Sequence, residues 1–227
     1  MHTTELISIL KNSNLNIFSI YDAAKIIGKP LPYTSLFLSK AKGITRIEKG
    51  KYFINDTDIY EIASNIVYPS YISMQAALRY YDLIDQNIID YSVISVKRHK
   101  KLSIGRSKVE FIYTDRRKFF GYVKNGNSYI ASIEKLFIDL LYFNNVKFSD
   151  VNEAYKYAYY NKLINISKLE KYALEFGKST IISKLGFMME INGFHSKKLI
   201  KHRYRNNIIL HGSGIKGVDK LWGISYD

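Results

Sequence analysis

Between Ile20 and Ile27 the apolar side chains fall at Ile20, Ala23, Ala24 and Ile27, the i, i+3, i+4, i+7 spacing of one helical face. Gly28 closes that helix. The Lys29-Pro30-Leu31-Pro32 run supplies a turn, with Pro32 suited to the first position of the next helix. This second helix is predicted from about Tyr33 to Lys42, ending at Gly43. Ile44–Ile47 and Tyr52–Ile54 then flank Glu48-Lys49-Gly50-Lys51, the pattern of a two-stranded ribbon with a glycine in its tip. Helix, turn, helix, ribbon is the order of a winged helix-turn-helix. At 100° per residue, Thr34, Ser35, Ser39 and Lys42 share one side of the second helix. Tyr33, Leu36, Phe37 and Ala41 share the other, with Leu38 and Lys40 dissenting.

The flanks carry further periodic segments. Leu6, Ile7, Ile9 and Leu10 mark a helix over 1–14 that starts at Thr3 or Thr4 and lies on the helix-turn-helix. Ile59, Ile62, Ala63 and Ile66 mark another after the ribbon, with Asp56 and Asp58 read as capping its start rather than as a metal site. Pro69 ends this first module, 1–68. In the second module, 69–227, Ser73 caps a helix, and strands of an antiparallel sheet are predicted over 91–96, 109–114 and 119–123. An amphipathic helix over 133–143 carries Glu134, Lys135 and Asp139, for which polar anchoring is preferred to acid–base chemistry. The remaining third is predicted to be helical, over 151–160, 167–176 and 179–191, with the tyrosines at 155–160 mostly packing. The fold class is thus α+β: an N-terminal winged helix-turn-helix, then a mixed β-sheet module with a C-terminal helical bundle.

Charge changes the picture. The chain of 227 residues has a formal net charge of +14 and no cysteine, which excludes disulfides and thiolate metal sites. Small hydroxyl side chains plus lysine let a helix approach the DNA major groove, so Tyr33, Thr34, Ser35, Ser39, Lys40 and Lys42 are candidate recognition residues. Arg46, Lys49 and Lys51 of the ribbon are placed for flanking phosphates. Use of the same fold for protein contacts or dimerisation is the alternative. The loop at 97–108 holds Lys97, Arg98, Lys100, Lys101, Arg106 and Lys108, a basic surface for phosphates or an acidic partner, or else a solvated loop tip. Arg116-Arg117-Lys118 could extend it.

Other patterns are set aside. GSGIKG at 212–217 lacks the order of a phosphate loop. His195, His202 and His211 lack metal-ligand spacing. No nucleophile–base set can be named, so neither enzyme activity, nor a metal, nor a cofactor is expected. The N-terminal MHTTELISILK has no apolar core of a secretory leader, and no stretch is long and apolar enough to span a membrane; a cytoplasmic location is the expectation.

The runs YTSLFLSKAKG (33–43) and ITRIEKGKY (44–52) resemble the N-terminal domain of the AbiEi family. The resemblance continues in YISMQAALRYYDLI (71–84) and IEKLFIDLLY (133–142), and more weakly in GKSTIISKLGFMME (177–190) and LWGI (221–224). Order and spacing carry it across nearly the whole chain. It implies an antitoxin and transcriptional regulator of a type IV toxin–antitoxin, or abortive infection, system. Such a protein represses its own operon by binding double-stranded operator DNA, and counters a nucleotidyltransferase-like toxin without necessarily forming a stable complex. A monomer, or a dimer on inverted repeats, fits equally. Two alternatives remain: a free-standing winged-helix regulator whose second module senses a ligand or partner, and a metal-dependent nucleic-acid enzyme using Asp82, Asp85, Glu110 or Glu134.

Overall fold

The computed structural model describes residues 1–210, 212 and 216–226; the turn at 212–217 lies partly outside them and His211 wholly so. The chain is an α+β protein. It begins α1 (Thr3–Asn12), β1 (Ile17–Ser19), α2 (Ile20–Ile27), α3 (Leu31–Lys40), β2 (Ile44–Glu48) and β3 (Lys51–Ile54). Ser19 starts α2 through a capping box: its Oγ accepts from the Asp22 N–H at 3.2 Å while the Asp22 carboxylate accepts from the Ser19 N–H at 2.8 Å. Gly28 ends α2 in the left-handed region, φ 68°, which a side chain would disfavour. The three strands pair antiparallel in the order β1-β3-β2, adding β1 to the expected ribbon. Leu6 and Leu10 of α1, Ala23, Leu38, Ile44 and Tyr52 close a small core beneath them.

Next come α4 (Ile59–Asn65), β4 (Ser70–Ser73), α5 (Met74–Tyr80), β5 (Asp90–Ser95), β6 (Leu102–Ile104), β7 (Ser107–Tyr113), β8 (Tyr122–Asn125) and β9 (Ser128–Ala131). The Asp58 side chain caps α4 by accepting from the Tyr60 N–H at 2.8 Å, whereas Asp56 pairs with Lys11 of α1. Ile62, Ala63 and Ile66 face the larger core over the sheet rather than the small core of α1–α3, and Phe53 of the ribbon joins them. Packing therefore changes hands at the ribbon, ahead of the Pro69 break read from the sequence.

Strands β4 to β9 form one six-stranded sheet in the order β6-β7-β5-β4-β9-β8. The sheet is mixed, as the fold class expected, but the strands read over 91–96 and 109–114 as antiparallel, β5 and β7, run parallel. The cause is β6, a short strand inside the stretch read as a loop. It reverses the chain once more and pairs antiparallel with β7 through Leu102↔Val109 and Ile104↔Ser107. Ser73 stands at the N-cap of α5, as expected, while Ser70–Ser73 before it is an additional strand buried between β5 and β9.

The chain continues through α6 (Ile133–Phe143), α7 (Phe148–Tyr160), α8 (Ile166–Phe176) and α9 (Ser179–Ile191). Every residue of α6 from Ile133 to Leu141 is buried, making α6 the axis on which α5, α7, α8 and α9 pack. The last third is not wholly helical: β10 (Ile208–Leu210), β11 (Gly217–Asp219) and β12 (Ile224–Tyr226) make a small sheet in the order β10-β12-β11. No helix among the described residues is long and apolar enough to cross a membrane.

Trp222, the only tryptophan, is fully buried against α9, and a Cβ at Gly186 would lie 2.2 Å from its ring. Gly186→Ala is therefore expected to destabilise the fold by about 1–3 kcal/mol through overpacking, although alanine is the better helix former. A urea titration followed by Trp222 fluorescence reads this directly; an unchanged or higher midpoint would mean that the ring moves aside freely.

Candidate nucleic-acid interface

The second helix starts earlier than its sequence reading, at Leu31, so Lys42 lies beyond its end. Its facing also differs. Thr34 and Leu38 are buried, at 0% and 3% exposure, while Tyr33 and Leu36 are 51% and 58% exposed. Thr34 turns inward because its hydroxyl is satisfied there, donating to the Pro30 carbonyl at 3.1 Å and sharing the Lys29 carbonyl at 3.3 Å. It is thus a packing residue and leaves the candidate set. Once Thr34 and Leu38 define the inner face, the outer one consists of Pro32, Leu36 and Ser39 at its centre. Tyr33, Ser35 and Lys40 lie on its rims, all exposed. Lys42 is exposed just after the helix, as are Lys29 in the turn before it and Lys25 on α2. No acidic side chain lies in α3 or in the segment to Arg46.

In the ribbon, Arg46 and Lys49 are exposed; the Arg46 Nε–H donates to the Glu48 carbonyl at 3.1 Å, across a bulge in β2. Lys51 is different. Its ammonium donates to the Ile66 carbonyl at the end of α4 and lies 3.7 Å from the Glu48 carboxylate. The residue read as a phosphate contact is an internal strut, drawn inward by a buried carbonyl that it satisfies. Glu48 also reaches His99, with Nε2 to carboxylate 3.2 Å. The ribbon is therefore clamped to the loop after β5, and Lys49 stands next to Lys97–Lys101.

The six basic residues of the 97–108 stretch do not form one tip. Because β6 intervenes, Lys97, Arg98 and Lys100 lie at one end of the sheet. Arg106 and Lys108 lie at the other, roughly 15–20 Å from Lys97 and Arg98 along β7, while Lys101, next to Leu102 opposite Val109, lies between the two ends. All six are exposed. Arg98 stacks over the Tyr113 ring at 4.8 Å. Tyr113 leads to the 3₁₀ turn Arg116–Lys118, which shares that end of the sheet and, with Glu175, Gly177 and Lys178, lines a cleft of 630 Å³. Arg46, Lys49, the 97–101 loop and Arg116–Lys118 thus form one basic run, tied together by the Glu48–His99 and Arg98–Tyr113 contacts. Lys118 is its most restrained member, held by Asp115 at 2.8 Å and Tyr142 at 3.2 Å, and this pairing raises its pKa.

The polar residues of α6 are closed off from solvent. Lys135 and Asp139, at 1% and 0% exposure, pair directly one turn apart. Asp139 accepts from Ser73 Oγ at 3.0 Å and Tyr71 Oη at 3.1 Å, and Lys135 donates to Tyr71 Oη at 3.0 Å. The Lys135 ammonium also lies over the rings of Phe120 and Phe176. Burial, followed by the Asp139 charge, pushes the Tyr71 hydroxyl well above its ordinary pKa. Burial pushes Asp139 up as well, against the pull of Lys135, Ser73 and Tyr71. Ser73 sits at the N-cap of α5, yet its hydroxyl bonds Asp139 instead of capping. This network anchors α6 to β4. Glu134, beside it, accepts from the Asn165 N–H at 3.2 Å and pairs with Lys168 at 2.8 Å.

The remaining carboxylates are dispersed. Asp82 and Asp85 line an open 630 Å³ cleft with Asp150 and Glu153, whereas Glu110 is exposed on β7. His195 pairs with Glu190 at 2.7 Å. Among the described residues no three His, Cys, Asp or Glu side chains are grouped so as to hold a metal ion. In the C-terminal helices, Tyr155 is buried while Tyr157 and Tyr160 are exposed.

The signal for the outward face of α3 was present in the sequence. Threonine four residues after Pro30 can bond back to the carbonyls of the turn, and burying Leu38 with it aligns Leu36, Ser39 and Lys40 outside. No protein-family model and no curated protein matches the chain.

Two substitutions probe the buried anchor. Lys135→Met strands the Asp139 carboxylate and is expected to cost about 3–5 kcal/mol in urea denaturation, while Lys135→Met with Asp139→Leu should recover most of it. Equal losses in the single and double variants would mean that packing, not charge, sets the cost. Burial opposes the charged form of Glu134, but Lys168 and the N–H groups of Glu134 and Asn165 outweigh it and hold the carboxyl below its ordinary 4.5. Such a group stabilises the fold above pH 4.5 and loses that contribution as pH falls through the depressed value. Lys168→Met should therefore unfold at lower urea than wild type at neutral pH, with the difference closing in acid. A difference independent of pH would show that the ion pair is not its source.

Proposed function

We propose that the chain is a sequence-specific binder of double-stranded DNA, that residues 1–54 act as a winged helix-turn-helix with α3 as its recognition helix, and that it regulates transcription. The observation that carries this reading is the outward face of α3. It is free of acidic residues, bears small hydroxyls, and is preceded by Lys29, ended by Lys40 and followed by Lys42, with Arg46 and Lys49 exposed on the ribbon that follows. Lysines beside an approachable helix match the phosphates flanking a major groove. The basic run through Lys97–Lys101 to Arg116–Lys118 supports the same reading, since it would follow the backbone of a duplex beyond the segment that α3 touches.

The resemblance to the AbiEi family supports a more particular role: an antitoxin that represses its own operon and counteracts a nucleotidyltransferase-like toxin. That part rests on likeness of sequence, while the DNA reading rests on named side chains. A second reading, a free-standing regulator whose larger part senses a ligand or partner, has one observation in its favour. The cleft lined by Asp82, Asp85, Asp150 and Glu153 would suit a cationic molecule. A toxin-like gene beside this one, and rescue of cells from its product, would decide for the antitoxin.

A mobility-shift titration with the DNA upstream of the gene, against a scrambled competitor and at two salt concentrations, tests the central claim. Ser39→Glu or Lys42→Glu is expected to abolish specific binding with the fold intact. Arg46→Ala and Lys49→Ala should each reduce the slope of log affinity against log salt by about 1. Wild-type binding by both glutamate variants would mean that α3 is not the recognition helix.

A further inference from the structure

The outward face of α3 has an apolar centre. Leu36 is 58% exposed there, Tyr33 is 51% exposed, and Tyr21 of α2 is 68% exposed nearby. A leucine in that position leaves apolar surface in water that burial against a partner would stabilise by about 25 cal/mol per Å². The helix LPYTSLFLSK holds no Arg, Asn or Gln, the side chains that form paired hydrogen bonds with guanine or adenine edges. Lys40, which can reach guanine, lies at its last position. The Ser39 hydroxyl donates to the Leu36 carbonyl at 2.8 Å, so its proton is already used. Apart from the Ser35 hydroxyl on the rim, the side chains at the centre of the outward face, Pro32 and Leu36, offer a base edge only apolar contact, which the C5-methyl of thymine can meet.

We propose that Leu36, flanked by Tyr33, is a specificity-determining residue that recognises thymine methyl groups in the major groove, so that the preferred duplexes carry thymine beneath α3. This rests on the DNA-binding function proposed above and names the base that such binding reads. The surrounding charge selects DNA over a second copy of the chain as the occupant. Lys29 precedes the helix, Lys40 ends it and Lys42 follows it, all exposed and with no acidic side chain between them, which complements phosphates on either side of a groove but would set lysine against lysine between two copies.

The test uses the full chain and duplexes recovered by it from a random-sequence pool. In a recovered site, replacing thymine with deoxyuridine removes only the methyl group. Wild type is expected to bind about 4-fold more weakly when the contacted thymine is replaced, the worth of one buried methyl. Leu36→Ala, its fold checked by Trp222 fluorescence, should bind thymine and uracil forms equally. Equal binding of the two forms by wild type overturns the methyl contact and leaves DNA binding standing. A folded chain that recovers no preferred sequence overturns the DNA reading itself, and this inference with it. A chain that sediments as a dimer, and as a monomer after Leu36→Asp, overturns it in favour of a face between copies.

Discussion

A lysine and an aspartate fully removed from water hold the larger part of this molecule in register. Either charge alone would be strongly unfavourable in that interior, and their mutual attraction offsets the loss of hydration only because the rest of the coordination is complete. Tyr71 and Ser73 supply hydroxyls to Asp139, while Phe120 and Phe176 present ring faces to Lys135. These partners come from β4, from the connection before β8 and from the end of α8. Docking α6 thereby sets the sheet, its far edge and the helical layer at once. Gly121 shows how tight the enclosure is, since a Cβ there would lie 2.9 Å from Tyr172 and 3.0 Å from the Lys135 side chain.

From that anchor the geometry propagates to the surface. Strand β4 pairs with β5, and β5 leads into the loop that carries His99. His99 meets Glu48 and Lys51 meets the Ile66 carbonyl, so the ribbon is gripped by the sheet loop on one side and by the end of α4 on the other. Phe53 places its ring in the large core, while its neighbours Tyr52 and Ile54 belong to the small one. Alternation along one strand thus serves two cores. The consequence for the proposed function is mechanical. The ribbon, the helix beside it and the basic loop form a continuous surface whose parts are held relative to one another by packing rather than by a linker.

Charge follows the same division. Two cations counted toward a phosphate-facing surface are occupied within the fold, Lys51 by a carbonyl and Lys118 by Asp115 and Tyr142, as is the anchoring Lys135 by Asp139. Exposed cations line the ribbon and one end of the sheet, and a further set, Lys197, Lys201, Arg203 and Arg205 among them, is exposed in the C-terminal third. The carboxylates Asp82, Asp85, Asp150 and Glu153 gather in a separate cleft. A net charge of +14 is therefore less informative than where the unpaired part of it stands.

Local signals were legible wherever a short stretch decides its own conformation. Periodicity located α2, α6 and α9, because a helix satisfies its backbone internally, and Gly28 announced the end of the first of them. The ribbon followed from alternation about Lys49-Gly50. Composition alone established that no thiol chemistry is available to the chain. Strand direction was not legible: a three-residue strand, Leu102–Ile104, is too short to show alternation, yet its presence makes β5 and β7 parallel and sends Arg106 and Lys108 to the opposite end from Lys97. The facing of α3 has a local cause that hydrophobic periodicity alone misreads: a threonine outcompetes tyrosine and leucine for the interior because two carbonyls of the preceding turn accept its proton. The chain by itself determined its helices, its ribbon and its excess of positive charge, all set by neighbours within a turn or two. Only the tertiary structure decided which cations are free and how the sheet is ordered, because those depend on partners well beyond a turn or two of helix, among them Ile66, fifteen residues from Lys51, and Tyr71, sixty-four from Lys135.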